Sequence, residues 1–259
     1  VDFDKFGSIL KSGGSTQLNT TATSGTNLTG DGLYWYEFNS TGTNVRYLTH
    51  VSGGKLMADT GTNGVSGTWS NLTGAYTLSN LQHCDFSTFL NKVFITNGND
   101  IPTYWDGSST ANNMASVLTS STGITSAKYN CLFNNYLFMA NLNLGGTYHP
   151  NRIQWSNLED PFTWLGQNWI EVSWNDGDEI TGLHVLSDRL VIYKNRSVYT
   201  LYFTGDADVP FILPGGGKTN SNVGCVAPWS VQEVENGHVF LSYDGIYYFD
   251  GNNSYRISD

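Results

Sequence analysis

Acidic residues are the first candidates for chemistry in this chain, and they are concentrated in the segment NDGDE, which contains Asp176, Asp178 and Glu179. Closely spaced carboxylates are typical ligands of hard cations such as Ca²⁺. The segment has neither the alternating acidic positions nor the distal Glu of an EF-hand loop. An Asx-type turn is therefore favoured over a calcium site, and we expect no metal and no cofactor.

Carboxylates could also form the acid and base pair of a glycosidase. The candidate residues are Asp85, Asp106, Glu159, Asp160, Asp178 and Asp244. Asp106 and Asp244 each precede a Gly, and Asp160 precedes Pro161, so turn formation explains these positions. The five histidines are isolated and lack the H-x-H or H-E-x-x-H spacing of a metal site. We therefore predict that the chain is not an enzyme.

A glycine-rich segment, GGGKT at residues 215–219, resembles part of a phosphate-binding P-loop. The P-loop requires a Gly five residues before Gly217, and Ile212 occupies that position. The apolar segment that ends at Pro214 does not lead into a helix. The sequence therefore predicts an exposed loop tip that presents Lys218.

The eight tryptophans could stack on sugars or fill the core. Trp105, Trp155 and Trp229 lie beside strand-like segments, so they are predicted to pack between sheets. A sugar-binding repeat protein would place the same aromatic and polar residues in every repeat. This chain has five hairpin-like repeats, which begin near Val45, Lys92, Tyr136, Arg189 and His238. They share a hydrophobic pattern but differ in their loop residues, which favours core positions over sugar platforms.

Exposed contacts are predicted in three loops, around residues 143–150, 160–174 and 209–222. The second loop groups three tryptophans in a short loop-rich stretch, as an exposed aromatic patch at a protein interface would. The predicted interface residues are Tyr148, His149, Trp164, Trp169, Trp174 and Lys218.

Composition narrows the class of protein further. The residues are 14% aromatic and 13% charged, and the charged fraction is about half of the typical value of about 25%. The net charge is −10 with only 12 Lys and Arg residues, so specific nucleic-acid binding is not expected. No apolar run approaches the roughly 18 residues of a membrane span, so no membrane partner is expected.

A hairpin-like pattern recurs five times along the chain, as two apolar strands joined by a Gly, Asp or Asn turn. The copies are VRYLTHVSGGKLMADT from Val45, KVFITNGNDIPTYWDG from Lys92, YLFMANLNLGGTYHPNRIQWS from Tyr136, RLVIYKNRSVYTLYF from Arg189 and HVFLSYDGIYYFDG from His238. Equivalent positions are separated by 48, 44, 53 and 49 residues. A period of about 40 to 50 residues that contains several strands predicts an all-β fold, a β-propeller with five blades of antiparallel strands.

The predicted organisation is an N-terminal arm and loop at residues 1–31, followed by a single propeller domain at residues 32–259. The polar stretch 108–125 is expected to hold one short helix or a long loop. The five copies could make a complete five-bladed toroid, with the arm completing the last blade, or most of a larger one.

The order of several phrases resembles structural proteins of tailed bacteriophages. These phrases are FITNGNDIPTYWDG, NNYLFMA, HPNRIQWSNLEDPFTW, DGDEITGLHVLSDRLVIYKNRSVYTLYFTG and GCVAPWSVQEVENGHVFLSYDGIYYFDG, which lie within residues 84–259. The family comprises β-propeller tail accessory proteins, also called head-to-tail stabilisation, hub or nozzle proteins. Its members are typically longer than this chain.

The resemblance implies a non-enzymatic component of a phage tail or head-to-tail connector. It implies localisation in the virion after assembly in the host cytoplasm, and other virion proteins as partners in a ring-forming homo-oligomer. The family has no catalytic residues to transfer. The alternative function is a carbohydrate-binding, lectin-like propeller, for which a glycan would be the partner.

Overall fold

The chain folds into five four-stranded antiparallel sheets. The computed structural model describes residues 2–3, 9–10, 30–40, 43–52, 54–59, 69–73, 78–79, 83–107, 110–173 and 175–258. The predicted N-terminal arm lies outside these residues, apart from a pair of short strands, β1 (Asp2–Phe3) and β2 (Ile9–Leu10), and the beginning of the first sheet. Its predicted role in closing the propeller therefore stays a prediction.

Each sheet is formed by four strands that are consecutive in the chain, and we call these sheets blades 1 to 5. Blade 1 consists of β3 (Gly30–Ser40), β4 (Thr43–Ser52), β5 (Lys55–Asp59) and β6 (Trp69–Asn71). Blade 2 consists of β7 (Asp85–Phe89), β8 (Lys92–Thr96), β9 (Thr103–Trp105) and β10 (Asn112–Asn113). Blade 3 consists of β11 (Ile124–Phe133), β12 (Tyr136–Leu144), β13 (Thr147–Trp155) and β14 (Trp169–Glu171).

The last two blades repeat this arrangement. Blade 4 consists of β15 (Ile180–Leu186), β16 (Arg189–Lys194), β17 (Val198–Phe203) and β18 (Phe211–Ile212). Blade 5 consists of β19 (Gln232–Val234), β20 (Gly237–Ser242), β21 (Gly245–Phe249) and β22 (Ser254–Arg256). The predicted five blades of antiparallel strands are thereby confirmed.

The repeated hairpin of the sequence is the central pair of strands in every blade, such as β8 with β9 and β20 with β21. In blades 2 to 4 the second strand, β8, β12 or β16, is buried at nearly every position, because neighbouring sheets cover both of its faces. The outermost strands, such as β10 and β18, are only two residues long, which limits the edge that is open to pairing with another chain.

Blades pack on one another through clusters of buried apolar side chains. Successive clusters contain Tyr36 and Trp105 between blades 1 and 2, Phe94 and Leu137 between blades 2 and 3, Phe138 and Leu190 between blades 3 and 4, and Tyr193 and Phe240 between blades 4 and 5. Burial of each such side chain contributes about 1.5–3 kcal/mol to stability. Stacking of sheets is thus the main source of rigidity.

One short helix, α1 (Ala115–Ser121), connects blades 2 and 3, as one of the two sequence alternatives predicted. It buries Leu118 in the cluster between these blades. None of the described helices is long and apolar enough to span a membrane.

The first strands of blades 1 to 4 lie nearest to the centre of the propeller. Strand β7 contacts β3 and β11, and β11 in turn contacts β15. Because these first strands touch extensively while the outermost strands do not among the described residues, the chain within these blades runs from the axis outward. The loops that lead into these first strands therefore lie close to the axis.

Candidate functional site

A cleft opens between blades 3 and 4, and it contains two of the predicted interface residues. One part, of about 430 Å³, is lined by Tyr148, His149, Pro150, Asn151 and Glu171. The adjoining part, of about 460 Å³, shares three of these residues and is completed by the blade 4 loop. We call the two parts together the interblade cleft.

A bulge in β12 directs the long β12–β13 hairpin that forms one wall of the interblade cleft. The pairing of β12 with β13 shifts between Ala140 and Leu142, and Asn141 adopts a φ of 58°. Asn tolerates this left-handed conformation better than most residues. The Asn141 side chain donates a 2.9 Å hydrogen bond from Nδ2 to the carbonyl oxygen of Ile180, which fixes blade 3 to blade 4 beside the cleft.

Glu171 is the centre of a polar network on the blade 3 side. Its Oε1 atom accepts a 2.8 Å bond from Arg152 Nε and lies 3.1 Å from His149 Nδ1. The guanidinium carbon of Arg152 lies 3.9 Å from the ring centroid of Trp169, within the range of a cation–π contact. Predicted interface residues His149 and Trp169 are thus joined through one ion pair.

Tyr148 and Asn151 provide the polar groups nearest to blade 4. Tyr148 is 55% exposed, and its hydroxyl donates a 3.0 Å bond to Glu179 Oε2. Burial of the hydroxyl, followed by the Glu179 carboxylate, raises the pKa of Tyr148 to about 12. Asn151 is 6% exposed, and its Oδ1 atom has no hydrogen-bond partner among the described residues. An unsatisfied buried acceptor of this kind favours a ligand or partner that donates a hydrogen bond.

The segment NDGDE forms the blade 4 side of the cleft, and its carboxylates are occupied by the protein itself. Asp176 Oδ1 accepts a 3.1 Å bond from the backbone N–H of Asp178, which confirms the predicted Asx-type turn. Asp178 accepts bonds from the backbone N–H groups of Asn195 and Arg196 at 3.0 Å each. These contacts stabilise the loop and explain why acidic residues cluster there.

Lys194 provides the positive charge of this loop. Its Nζ atom is within 2.8 Å of both Asp176 carboxylate oxygens, and it also donates to the carbonyl oxygens of Val172 and Ser173 at 3.0 and 3.3 Å. Burial alone would raise the pKa of Asp176, but hydrogen bonds from Lys194 and the Asp178 backbone lower it below its ordinary value. The ion pair therefore holds blade 4 against the end of β14.

Two expectations about tryptophans were wrong. Trp164 was expected to be exposed but is 3% exposed, because its ring packs in the cluster between blades 2 and 3 and its Nε1 donates a 2.8 Å bond to the Pro161 carbonyl oxygen. Trp229 was expected to pack between blades but is 43% exposed and lies at the axis. Trp105 and Trp155 are 1% and 5% exposed, which confirms their predicted core positions.

Of the remaining predicted interface residues, Lys218 does not line the interblade cleft. Trp174 lies outside the described residues. Lys218 is exposed and follows a short 3-10 turn at Pro214–Gly216, where it pairs with Tyr199 of β17. The predicted exposure of this loop tip is confirmed. Whether Lys218 contributes to an interface stays a prediction.

Sequence reasoning did not identify Asn151, Glu171 or Glu179 as parts of one site. Glu171 and Asn151 belong to strand segments with ordinary polar–apolar alternation, and their approach depends on the β12 bulge. Of the segments that form the cleft, only the long hairpin NLNLGGTYHP stands out in the sequence, because it is an insertion relative to the other copies.

The fold defines the class of the protein as a five-bladed β-propeller. A family model described as bacteriophage P22 Gp10, β-propeller, matches residues 11–259. The chain therefore belongs to this family, which confirms the resemblance to tailed-phage structural proteins. None of the curated proteins compared with the chain matches it.

Solved structures show the same fold at low sequence identity. The extracellular domain of a putative hybrid two-component system from B. thetaiotaomicron is similar with a TM-score of 0.52 and 9% identity, over 86% of this chain and 27% of that chain. The extracellular domain of a putative one-component system from the same organism gives a TM-score of 0.50 and 8% identity, over 88% and 28%. The chain thus spans less than a third of either structure, and the likeness shows the fold alone.

Proposed function

We propose that the chain is a non-enzymatic structural component of a phage tail or head-to-tail connector, located in the virion and assembled in the host cytoplasm. The observation that carries this proposal is membership of the phage Gp10 propeller family over residues 11–259. The propeller acts as a rigid scaffold for contacts with other virion proteins. The net charge of −10 suits a protein that does not bind nucleic acid specifically.

Exposed apolar residues on the outward faces of the first and last blades support assembly into a ring of copies. In blade 5, Leu241 and Ile246 are paired across β20 and β21 and are 41% and 42% exposed. They lie on the face opposite Phe240, which packs against blade 4. In blade 1, Trp35 is 43% exposed and lies on the face opposite Tyr36, which packs against blade 2. Apolar patches of this kind mark protein contacts.

The ring can be tested with purified protein by sedimentation velocity at several concentrations. We expect the wild type to form a discrete oligomer and the double variant Leu241→Asp, Ile246→Asp to remain monomeric, because two carboxylates would be buried without partners. Leu158→Asp is the matched control, since Leu158 is 54% exposed elsewhere. A wild type that is monomeric at all concentrations would contradict the ring.

The location can be tested by detecting the protein in purified phage particles and placing it in a particle map. Density for the propeller next to the portal or in the tail would support the proposal. Its absence from mature particles, with abundant protein in the infected cell, would contradict a structural role.

A carbohydrate-binding propeller is the second candidate. It is favoured by the exposed Tyr148 in the interblade cleft, beside Asn151, whose Oδ1 atom has no hydrogen-bond partner among the described residues. The hairpins that correspond to β12–β13 have different turns, such as SGG in blade 1 and NRS in blade 4, so the cleft is not a repeated sugar pocket. A glycan array decides between the candidates. Sugar-competed binding that is lost in Tyr148→Ala would favour the lectin-like function.

A further inference from the structure

Aromatic side chains from blades that are not neighbours meet at the propeller axis. Trp229, just before β19 of blade 5, lies with its ring centroid 4.1 Å from that of His83, just before β7 of blade 2. The same indole is 6.4 Å from the ring of Tyr129 in blade 3. Side chains from non-adjacent blades can approach this closely only at the centre, so Trp229 lies across the axis.

Two cavities meet at this point, and Asp85 and Trp229 line both. The first has a volume of about 170 Å³ and is lined by Asp85 of blade 2, Tyr129 of blade 3, His184 of blade 4 and Trp229 beside blade 5. The second has a volume of about 340 Å³ and includes Leu33 and Tyr34 of blade 1. All five blades therefore contribute to the space around one carboxyl group. The first cavity alone exceeds several-fold the roughly 30 Å³ that one water occupies.

Two residues that line the first cavity have unused hydrogen-bonding capacity. Tyr129 is 2% exposed, and its hydroxyl has no hydrogen-bond partner among the described residues. Asp85 accepts one backbone N–H bond on each oxygen, from Phe86 at 3.1 Å and Asn130 at 2.9 Å. A carboxylate can accept about four, so lone pairs remain. A buried hydroxyl without a partner is unfavourable, which favours an occupant that bonds to it.

The charge of the residues that line the cavity indicates which ligands it can bind. Asp85 disfavours an anion, and the described residues contain no group of three metal-ligating side chains. Burial raises the pKa of Asp85 to about 7, as expected for a carboxyl group without a cation beside it. Burial, then the neighbouring His238, lowers the pKa of His184 to about 4, so His184 is neutral and does not supply that cation.

The aromatic rings of Tyr129 and Trp229 beside the cavity also favour a cation. Cations bind the faces of Trp and Tyr within about 6 Å of the ring centroid. Lys128 Nζ lies 5.5 Å from the centroid of the Tyr129 ring, within the range of a cation–π contact. The Lys128 side chain is not among the described residues that line either cavity, and the Trp229 face is available to a second cation.

We propose that this axial cavity binds a primary ammonium group, which donates to Asp85 and Tyr129 and packs against the indole of Trp229. The ammonium group has three donors on a compact head, and an alkyl stem suits the apolar lining of Leu183, Pro228 and Val231. It arrives either on a small free alkylamine or on a lysine side chain of a partner protein. The proposal is independent of the role in the virion.

The test is calorimetric titration of the full chain with n-butylammonium, combined with NMR of the Trp229 indole N–H. We expect saturable binding with a shift of that resonance. Asp85→Asn should weaken binding at least about tenfold, since the ammonium group loses a charged hydrogen-bond acceptor. Asp208→Asn, in an exposed loop, is the matched control and should bind like the wild type.

A second probe distinguishes a lysine side chain from a free amine, and a second variant controls for misfolding of Asp85→Asn. Nα-acetyl-lysine methylamide should bind as well as n-butylammonium if the cavity receives a lysine side chain, and more weakly if it receives a free amine. Trp229→Leu, a change at a partly exposed position, should fold and also weaken binding. Failure of the wild type to bind at millimolar probe, equal binding of neutral n-butanol, or unchanged binding by Asp85→Asn in a folded variant would each overturn the proposal.

Discussion

The ammonium nitrogen of Lys194 lies 2.7 Å from Oδ2 of Asp176, yet the two partners differ in their exposure to solvent. The Lys194 side chain is fully buried, whereas the Asp176 side chain is 26% exposed. Loss of Asp176 therefore leaves the ammonium group unpaired, whereas loss of Lys194 leaves the carboxylate unpaired. Removal of the carboxylate isolates a charge inside the protein, and removal of the lysine leaves a carboxylate that water can reach.

This difference predicts unequal costs for the two single variants. Asp176→Ala should lower the free energy of unfolding by about 3–5 kcal/mol, because a buried charge loses its partner. Lys194→Met should cost about 1–3 kcal/mol, mainly from the unsatisfied carbonyl oxygens of Val172 and Ser173. Urea unfolding of both variants, the double variant and the control Asp208→Asn measures these values. Equal costs would show that the exposure of Asp176 does not matter.

The two tryptophans that the sequence grouped together should respond oppositely to truncation. Trp164→Ala should destabilise the protein by about 3–5 kcal/mol, as for other buried aromatic residues. Trp169→Ala should cost about 1 kcal/mol or less, since Trp169 is 39% exposed and loses mainly its cation–π contact with Arg152. Thermal unfolding of the two variants in parallel provides the comparison, and a larger loss for Trp169→Ala would contradict it.

Acid should weaken the packing of blade 4 through His184. Its pKa is about 4 in the folded chain, below the ordinary 6.5, so the unfolded chain binds the proton first. The contribution of neutral His184 is complete above pH about 6.5 and is lost as the pH falls toward 4, by about 3 kcal/mol in total.

The raised pKa of Asp85 acts in the opposite direction over part of the same pH range, so the effect of His184 is measured as a difference between proteins. Urea unfolding of the wild type and His184→Asn at pH 7.5, 6 and 4.5 should show the variant gaining relative stability as the pH falls. The exposed His83→Asn variant is the control. Parallel pH profiles of the wild type and His184→Asn would refute the assignment.

A glycine at the junction of blades 4 and 5 should not tolerate a side chain. A Cβ atom at Gly224 would clash with the carbonyl oxygen of Lys194, which is backbone and cannot rotate away. Gly224→Ala should therefore cost about 1–3 kcal/mol or more through overpacking. At the control position Gly166, the nearest atom is 3.3 Å away, so Gly166→Ala should be milder. Similar melting temperatures for both variants would contradict this prediction.

The central hairpins were predictable from sequence because their pattern of apolar residues and turns is local and appears in every copy. The outer strands β10 and β18 were not, since a two-residue strand leaves no periodic signal. The short helix was predicted only as one of two alternatives, because the polar stretch around Ala115–Ser121 has a single buried residue, Leu118.

The candidate sites depended more strongly on tertiary structure. Trp164 and Trp169 have the same residue type and similar surroundings in sequence, but only Trp164 faces the cluster between two blades. Trp229 follows Pro228 in a 3-10 turn, and nothing in its neighbours indicates that it reaches the axis. Contacts such as that of Trp229 with His83 join distant segments, so they appear only after all the blades are assembled.

The position of Trp229 also bears on the passage of a polymer along the propeller axis. The rings of Trp229, Tyr129 and His83 meet at the middle of the propeller, and they obstruct a polymer that would thread through it. If copies of the chain surround a conduit, as the proposed connector role requires, that conduit therefore runs between copies and along their outer surfaces. A net charge of −10 on each copy would then repel the phosphates of a passing genome.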